Sequence, residues 1–185
     1  MSSYDFVVVG AGISGAALAY FLKKGGAARV LLLERGELAS GGTGKSAAIV
    51  RQHYSTRLMA RLARRSVELF RAMPADLGAD GGYRGVGYVF LGAEDNAQAA
   101  QKNVAMQQGV GIDTQWMAPP QVAAKFPWLN MQGVAGAAYE PLGGYADPMQ
   151  AVEAYVAAFQ RIGGEVRLRT SARKLLRDGA GLTGV

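Results

Sequence analysis

The chain contains no cysteine and a single histidine, His53. Without cysteine there are no disulfides, no thiolate nucleophile, no Cys-ligated zinc and no iron–sulfur cluster. One histidine rules out a His-rich metal site or a histidine-pair mechanism within this chain, so no metal is predicted. No apolar run approaches the ~18 residues needed to cross a bilayer, so no transmembrane segment is predicted. Residues 1–5 carry no basic stretch before the first apolar run, which argues against a signal peptide and for a cytoplasmic, reducing setting. Acids are in the minority: Asp+Glu is 14 against 20 Lys+Arg, a net charge of +6. What is abundant is apolar residues, 50% of 185, and glycine, 26 in all. That composition predicts an ordered core of one domain or a domain and a half, with many tight turns or close backbone approaches.

The first 34 residues are the most informative. Phe6, Val7, Val8 and Val9 form a continuous β-branched and aromatic run, the pattern of a strand buried on both faces. Gly10-Ala11-Gly12-Ile13-Ser14-Gly15 follows at once, then an apolar helix over 16–22 that Gly25-Gly26 stops. Residues 29–34 read as a second buried strand ending in Glu34. Two such strands joined by a helix make a βαβ unit and an α/β fold.

Beyond it, residues 36–47 form a Gly/Ser/Thr loop. Residues 57–72 read as a helix with Met59, Leu62, Ala63, Leu69 and Phe70 inward, and 74–85 as a connection. A strand over 86–91, a polar helix over 93–109, a short helix opened by Pro119-Pro120 and a strand over 134–139 follow. Asp147 then caps a helix with Pro148 at its first position, Gln150 at the capping-box position, and Val152, Tyr155, Val156 and Phe159 as its apolar stripe. Residues 165–169 alternate like a strand, 172–176 continue extended, and 182–185 pair back across the turn Asp178-Gly179-Ala180-Gly181.

A G-x-G-x-x-G run is specific only in context, and here it leaves a buried strand, opens a helix and is followed by an acid closing the next strand. Gly10 permits the turn, Gly12 lets a pyrophosphate approach the backbone, and Gly15 lets helix and strand pack closely. The helix N-terminus suits the pyrophosphate, and Glu34 suits ribose hydroxyls while repelling a 2′-phosphate. This fingerprint alone leaves NAD and FAD open. The loop Ser40-Gly41-Gly42-Thr43-Gly44-Lys45-Ser46 imitates a triphosphate-binding loop, but Ala39 replaces the glycine that pattern needs and no strand precedes it directly. Lys45 and Ser46 read either as solvated loop residues or as groups closing over a cofactor.

Residues 10–15, Glu34-Arg35, the loop ending Lys45-Ser46-Ala47-Ala48-Ile49-Val50-Arg51 and the later Gly143-Gly144-Tyr145-Ala146-Asp147-Pro148 resemble the D-amino-acid oxidase superfamily of flavoproteins. The likeness is to the glycine oxidase, sarcosine oxidase and dimethylglycine dehydrogenase types. It implies non-covalent FAD held by Gly10, Gly12, Ile13, Ser14, Gly15, Glu34 and Arg35. Gly42, Thr43, Lys45, Ser46, Ala48 and Ile49 would pass near the pyrophosphate and flavin, and Ala172 along the adenine. The implied reaction is oxidation of an amine or amino acid at its C–N bond by hydride transfer to flavin N5, with oxygen or an electron-transfer partner as acceptor. By the same likeness Arg51 binds the substrate carboxylate; from the residues alone a surface ion pair fits it equally well. His53 would line that pocket or serve in packing.

The resemblance also implies a Rossmann-like FAD-binding domain from residues 1–85 and 141–185 and a substrate-domain segment over 86–140, with this chain the N-terminal part of a longer enzyme. Two other functions fit less well. A hydroxy-acid or glycerol-phosphate dehydrogenase shares this kind of N-terminal half, and a catalytically incomplete FAD-binding fragment is the further alternative. Residues 38–67 contain no acid and many arginines, but no groove-reading motif or aromatic platform accompanies them, so no nucleic-acid partner is predicted.

Overall fold

The computed structural model describes residues 3–179 and 181–185. Along the chain run β1 (Phe6–Val9), α1 (Ile13–Lys24), β2 (Val30–Leu33), β3 (Ile49–Val50), α2 (Arg57–Leu77) and β4 (Tyr88–Ala93). Then come α3 (Ala97–Gln108), β5 (Gln115–Met117), α4 (Pro119–Lys125), β6 (Val134–Glu140) and β7 (Gly144–Tyr145). The chain closes with α5 (Pro148–Arg161), β8 (Glu165–Arg167), β9 (Leu176–Asp178) and β10 (Gly181–Gly184). These elements divide into two units: Met1–Ala48, Ala72–Gly82 and Ala146–Val185 form the first, Ile49–Arg71 and Tyr83–Tyr145 the second.

The first unit is α/β. Its parallel sheet has the order β1-β2-β8, with Phe6 opposite Val30 and Leu31 opposite Glu165. β2 is the central strand, and all four of its residues are buried. β1 departs from the sequence expectation of burial on both faces: only Val8 is buried, and Phe6 and Val9 are exposed. It lies at the sheet edge, so its apolar run is covered less than that of β2. α1 packs on α5, where Tyr20 and Tyr155 meet with ring centroids 5.7 Å apart. Val152, Tyr155, Val156 and Phe159 of α5 are all buried, each contributing about 1.5–3 kcal/mol of transfer free energy.

Asp147 caps α5 through Oδ1, which accepts from the N–H of Met149 at 2.9 Å and of Gln150 at 3.0 Å. The reciprocal arm differs from a capping box. The Gln150 amide donates to Asp147 Oδ2 at 3.3 Å, and the Asp147 N–H donates to the Gly81 carbonyl at 3.3 Å. β9 and β10 form the expected hairpin. Of its predicted turn, Ala180 lies outside the described residues, as do Met1 and Ser2. Residues 172–175 belong to no strand, and β9 begins at Leu176.

The second unit is built on an antiparallel sheet of order β4-β6-β5, with the short pair β3-β7 beside it in sequence order. Met117, Val122 and Ala137 form one apolar cluster, with Val89, Phe126 and Tyr139 packed against it. β3, β5 and β7 were not foreseen. Each has only two or three residues, too few for alternation to show. β4 starts at Tyr88, two positions later than expected, and Val86 is exposed.

α2 differs most from the sequence reading. It continues through Pro74 to Leu77, where a connection was expected. An interior proline costs about 3 kcal/mol, but the extra turn buries Met73 and Leu77 almost completely, which offsets a cost of that size. Its packed face is also rotated: Ala60 and Val67 are buried, while Met59 and Leu62, expected inside, are exposed. Arg64 is exposed and donates from Nη1 to the Val110 carbonyl at 2.8 Å.

Asp147→Ala removes the cap acceptor of α5 and is expected to lower unfolding free energy by about 1 kcal/mol, with Asp147→Asn much closer to wild type. Urea unfolding followed by circular dichroism checks both.

Candidate functional site

The turn between β1 and α1 depends on glycine at two positions. Gly10 has φ +103°, a conformation that L side chains rarely adopt. A Cβ on Gly15 would overlap the Gly10 carbonyl oxygen, so helix and strand approach as closely as they do only without one. Gly12 is different in kind. Its backbone is extended, and a Cβ there would stand 2.8 Å from Thr43 Oγ1. Thr43 sits against the turn because its hydroxyl accepts from the Ile13 N–H at 3.1 Å. The same loop is tied down where the Ala39 N–H donates to the Ala11 carbonyl at 3.0 Å.

Glu34 joins these parts. Its Oε2 accepts from the Ala11 N–H and its Oε1 from the Gly36 N–H, each at 2.8 Å. The Ala11 bond, then the Gly36 bond, hold this carboxyl below the usual carboxylate range against the opposing effect of burial. The Glu34 backbone continues the sheet edge: its N–H donates to the Arg167 carbonyl at 2.9 Å, and its carbonyl accepts from the Thr170 N–H at 2.8 Å. That pairing carries residues 170–172 to the mouth of the turn.

The result is a cleft of about 470 Å³ in the first unit. Of the residues singled out in the sequence, Gly10, Gly12, Glu34, Arg35, Gly42, Thr43 and Ala172 line it. Ile13, Ser14 and Gly15 form the first turn of α1 and lie outside the lining. Lys45, Ser46, Ala48 and Ile49 are not brought to it either. Lys45 is exposed; Ser46 Oγ accepts from the Ala48 N–H at 2.9 Å, closing a local turn; and Ile49 pairs with Tyr145 in the second unit. Ser40, Gly41, Thr170 and Ser171 line the cleft without having been singled out. The first two belong to the Gly/Ser loop already noted, whereas nothing local marks Thr170 and Ser171.

Arg51 and His53 come together in the second unit, beside a pocket of about 350 Å³. Arg51 Nη1 donates to Tyr88 Oη at 2.9 Å, and its guanidinium lies 5.4 Å from the ring centre of Tyr54 and 5.6 Å from that of Tyr88. The Tyr88 hydrogen bond raises its already high pKa, so it is always a cation. His53 stacks on Phe90 with centroids 4.6 Å apart. The Gln107 side-chain NH2 donates to the Tyr54 carbonyl at 3.0 Å and stands 3.2 Å from His53 Nδ1. That carbonyl fixes the amide orientation, so Nδ1 is an acceptor and the proton of the neutral ring is on Nε2. Burial lowers the His53 pKa, the Gln107 contact opposes it, and the Arg51 charge lowers it further.

Sequence reasoning missed the acid beneath this cluster. Glu140 is 2% exposed, and both its oxygens accept from the Gln52 N–H at 2.9 Å. Burial raises its pKa, while the N–H groups of Gln52 and His53 and the Arg51 charge pull it down. A glutamate ending an otherwise apolar strand was the available signal. Among the described residues, no group of three or more His, Asp or Glu side chains could hold a metal, and no helix is long and apolar enough to cross a membrane.

A family model described as FAD dependent oxidoreductase, designated DAO, matches residues 5–185. The FAD-dependent oxidoreductase domain-containing protein 1 of Bos taurus is 36% identical over 146 residues, 73% of this chain and 30% of that protein. Sarcosine oxidase subunit beta of an Arthrobacter species is 30% identical over 190 residues, 99% of this chain and 47% of that protein. The crystal structure of L-proline dehydrogenase from P. horikoshii superimposes with a TM-score of 0.89 at 26% identity, over 98% of this chain and 48% of that one. The chain thus spans about half the length, or less, of the relatives it matches.

Gly15→Ala is expected to destabilise the first unit by about 3 kcal/mol or more, because backbone must move to admit the methyl group. Glu34→Gln is expected to cost about 1–2 kcal/mol at neutral pH, discounted for partial exposure. The folded-state pKa of Glu34 lies below its unfolded value, so this contribution is complete above the ordinary carboxylate range and fades as pH falls through it. Denaturant unfolding of wild type and Glu34→Gln should therefore converge in acid.

Proposed function

The chain belongs to the DAO family of FAD-dependent oxidoreductases, and from that premise we propose that its first unit holds FAD and that the whole protein oxidises the C–N bond of an amine or amino acid. The observation that carries the reading is the cleft at the β1–α1 turn. Its residues fit the cofactor. A Cβ on Gly10, Gly41 or Gly42 would meet nothing within 4 Å, so the cleft lining is open backbone at these points. The N-terminus of α1 offers N–H groups and a partial positive charge to the pyrophosphate. Each Glu34 oxygen accepts one backbone bond and keeps a lone pair for a ribose hydroxyl. Its lowered pKa keeps it an acceptor at neutral pH.

When bound, FAD supplies the acceptor for the hydride lost from the carbon beside the amine. The protein's own groups then have few tasks. Arg51 binds the substrate carboxylate, and a fork of N–H donors suits a bidentate pair. Tyr54 and Tyr88 hold the guanidinium in one orientation. Neutral His53 presents Nε2–H as a donor in the same pocket. Water completes the reaction by hydrolysing the imine. Sarcosine and proline, named in two relatives, are both secondary amines bearing a carboxylate, which supports this substrate class. Oxygen or an electron-transfer partner as final acceptor, and a cytoplasmic setting, belong to the same reading; the cysteine-free sequence supports the latter.

FAD at about 100 times its dissociation constant is expected to add about 2.7 kcal/mol of stability, a rise in Tm of roughly 5–10 °C. NAD and ATP at the same concentration should leave Tm unchanged. Differential scanning fluorimetry checks this, and equal shifts with all three would overturn the assignment.

A further inference from the structure

The buried acid of the second unit has no task in the scheme above, yet it is bonded to the residue that follows one that has. Gln52 follows Arg51 directly and donates its backbone N–H to both oxygens of the Glu140 carboxylate, at 2.9 Å each. Glu140 is also the cross-strand partner of Tyr88, the residue whose hydroxyl accepts from Arg51. Arg51, Tyr88, Glu140 and Gln52 form a closed circuit: guanidinium to Tyr88, Tyr88 across the ladder to Glu140, and Glu140 back to the amide that follows Arg51. Close packing surrounds it, since a Cβ on Gly143 would stand 3.2 Å from Glu140 Cγ.

We propose that Glu140 is a positioning residue that sets the Arg51 guanidinium for a substrate carboxylate by fixing both the backbone that follows Arg51 and the strand that carries Tyr88. The inference rests on the carboxylate-binding reading of Arg51. Burying an acid so fully costs free energy, which the Gln52 N–H bond offsets in part. The carboxylate also works against its own charge. A negative group near Arg51 repels an incoming anion, so by charge alone its removal tightens carboxylate binding. Positioning demands the opposite sign.

The test is an NMR titration of the ¹⁵N-labelled full chain with propionate, with propionamide as the uncharged control. Arg51→Gln and Glu140→Gln are each expected to weaken propionate binding by at least about five-fold, while the double variant is no weaker than Arg51→Gln alone. Propionamide affinity should not change. Loss in Arg51→Gln with wild-type or tighter binding in Glu140→Gln overturns the positioning role and leaves the Arg51 reading standing. No loss in Arg51→Gln overturns that reading and the inference with it. Should Glu140→Gln fail to fold, the wild-type amide resonance of Gln52 decides: movement with propionate supports the circuit, and a stationary resonance overturns it.

Discussion

Each oxygen of the Glu34 carboxylate holds a backbone N–H, one from the glycine turn and one from the loop after β2. Those two bonds set how the end of the second strand sits against the start of the first helix. The Gly/Ser loop then leans on the turn through Ala39 and Thr43, and residues 167–170 pair along the Glu34 backbone. Every wall of the cleft therefore refers back to one ionised side chain. Its lowered pKa is the electrostatic consequence of that service, not a separate feature.

The arrangement leaves one acid able to serve the structure and, as proposed, a ligand. Two N–H donors use half of the lone pairs of a carboxylate, and Glu34 itself lines the cleft. The glycines have a complementary part. Gly15 is compelled by the close approach of helix to strand, whereas Gly12 makes room for Thr43. The second unit applies the same principle with a buried acid: Glu140 organises the backbone around Arg51, and Arg51 is left to present its charge.

The βαβ unit was legible because its signals are local and agree with one another: an apolar strand, a glycine turn, an apolar helix and a terminal acid within one short stretch. The α5 cap was legible for the same reason, since Asp147 bonds amides two and three residues away. What stayed hidden depends on distant partners. The face of α2 is rotated from its expected stripe because Ala60 packs with Val110 and Ile112, which no helical periodicity encodes. Glu140 and Gln52 are 88 positions apart; the acid ending an apolar strand marks Glu140, but nothing in its neighbourhood names Gln52 as its partner. Lys45 and Ser46 belong to the same loop as Gly42 and Thr43 yet do not line the cleft, and Ser46 closes a local turn with Ala48 instead. Thr170 and Ser171 reach the cleft through backbone bonds to distant residues, Thr170 N–H to the Glu34 carbonyl and Arg169 N–H to the Gly36 carbonyl.

The central claim is that the β1–α1 turn and Glu34 together hold the adenosine and pyrophosphate of FAD. Mapping amide chemical shifts of the ¹⁵N-labelled chain during titration with FAD tests it most directly. The account predicts the largest changes at Gly10, Ala11, Gly12 and Gly36, with Gly42 and Ala172 following, and their loss in Glu34→Gln. Saturable changes confined to other residues, or changes at the turn that survive Glu34→Gln undiminished, would contradict it.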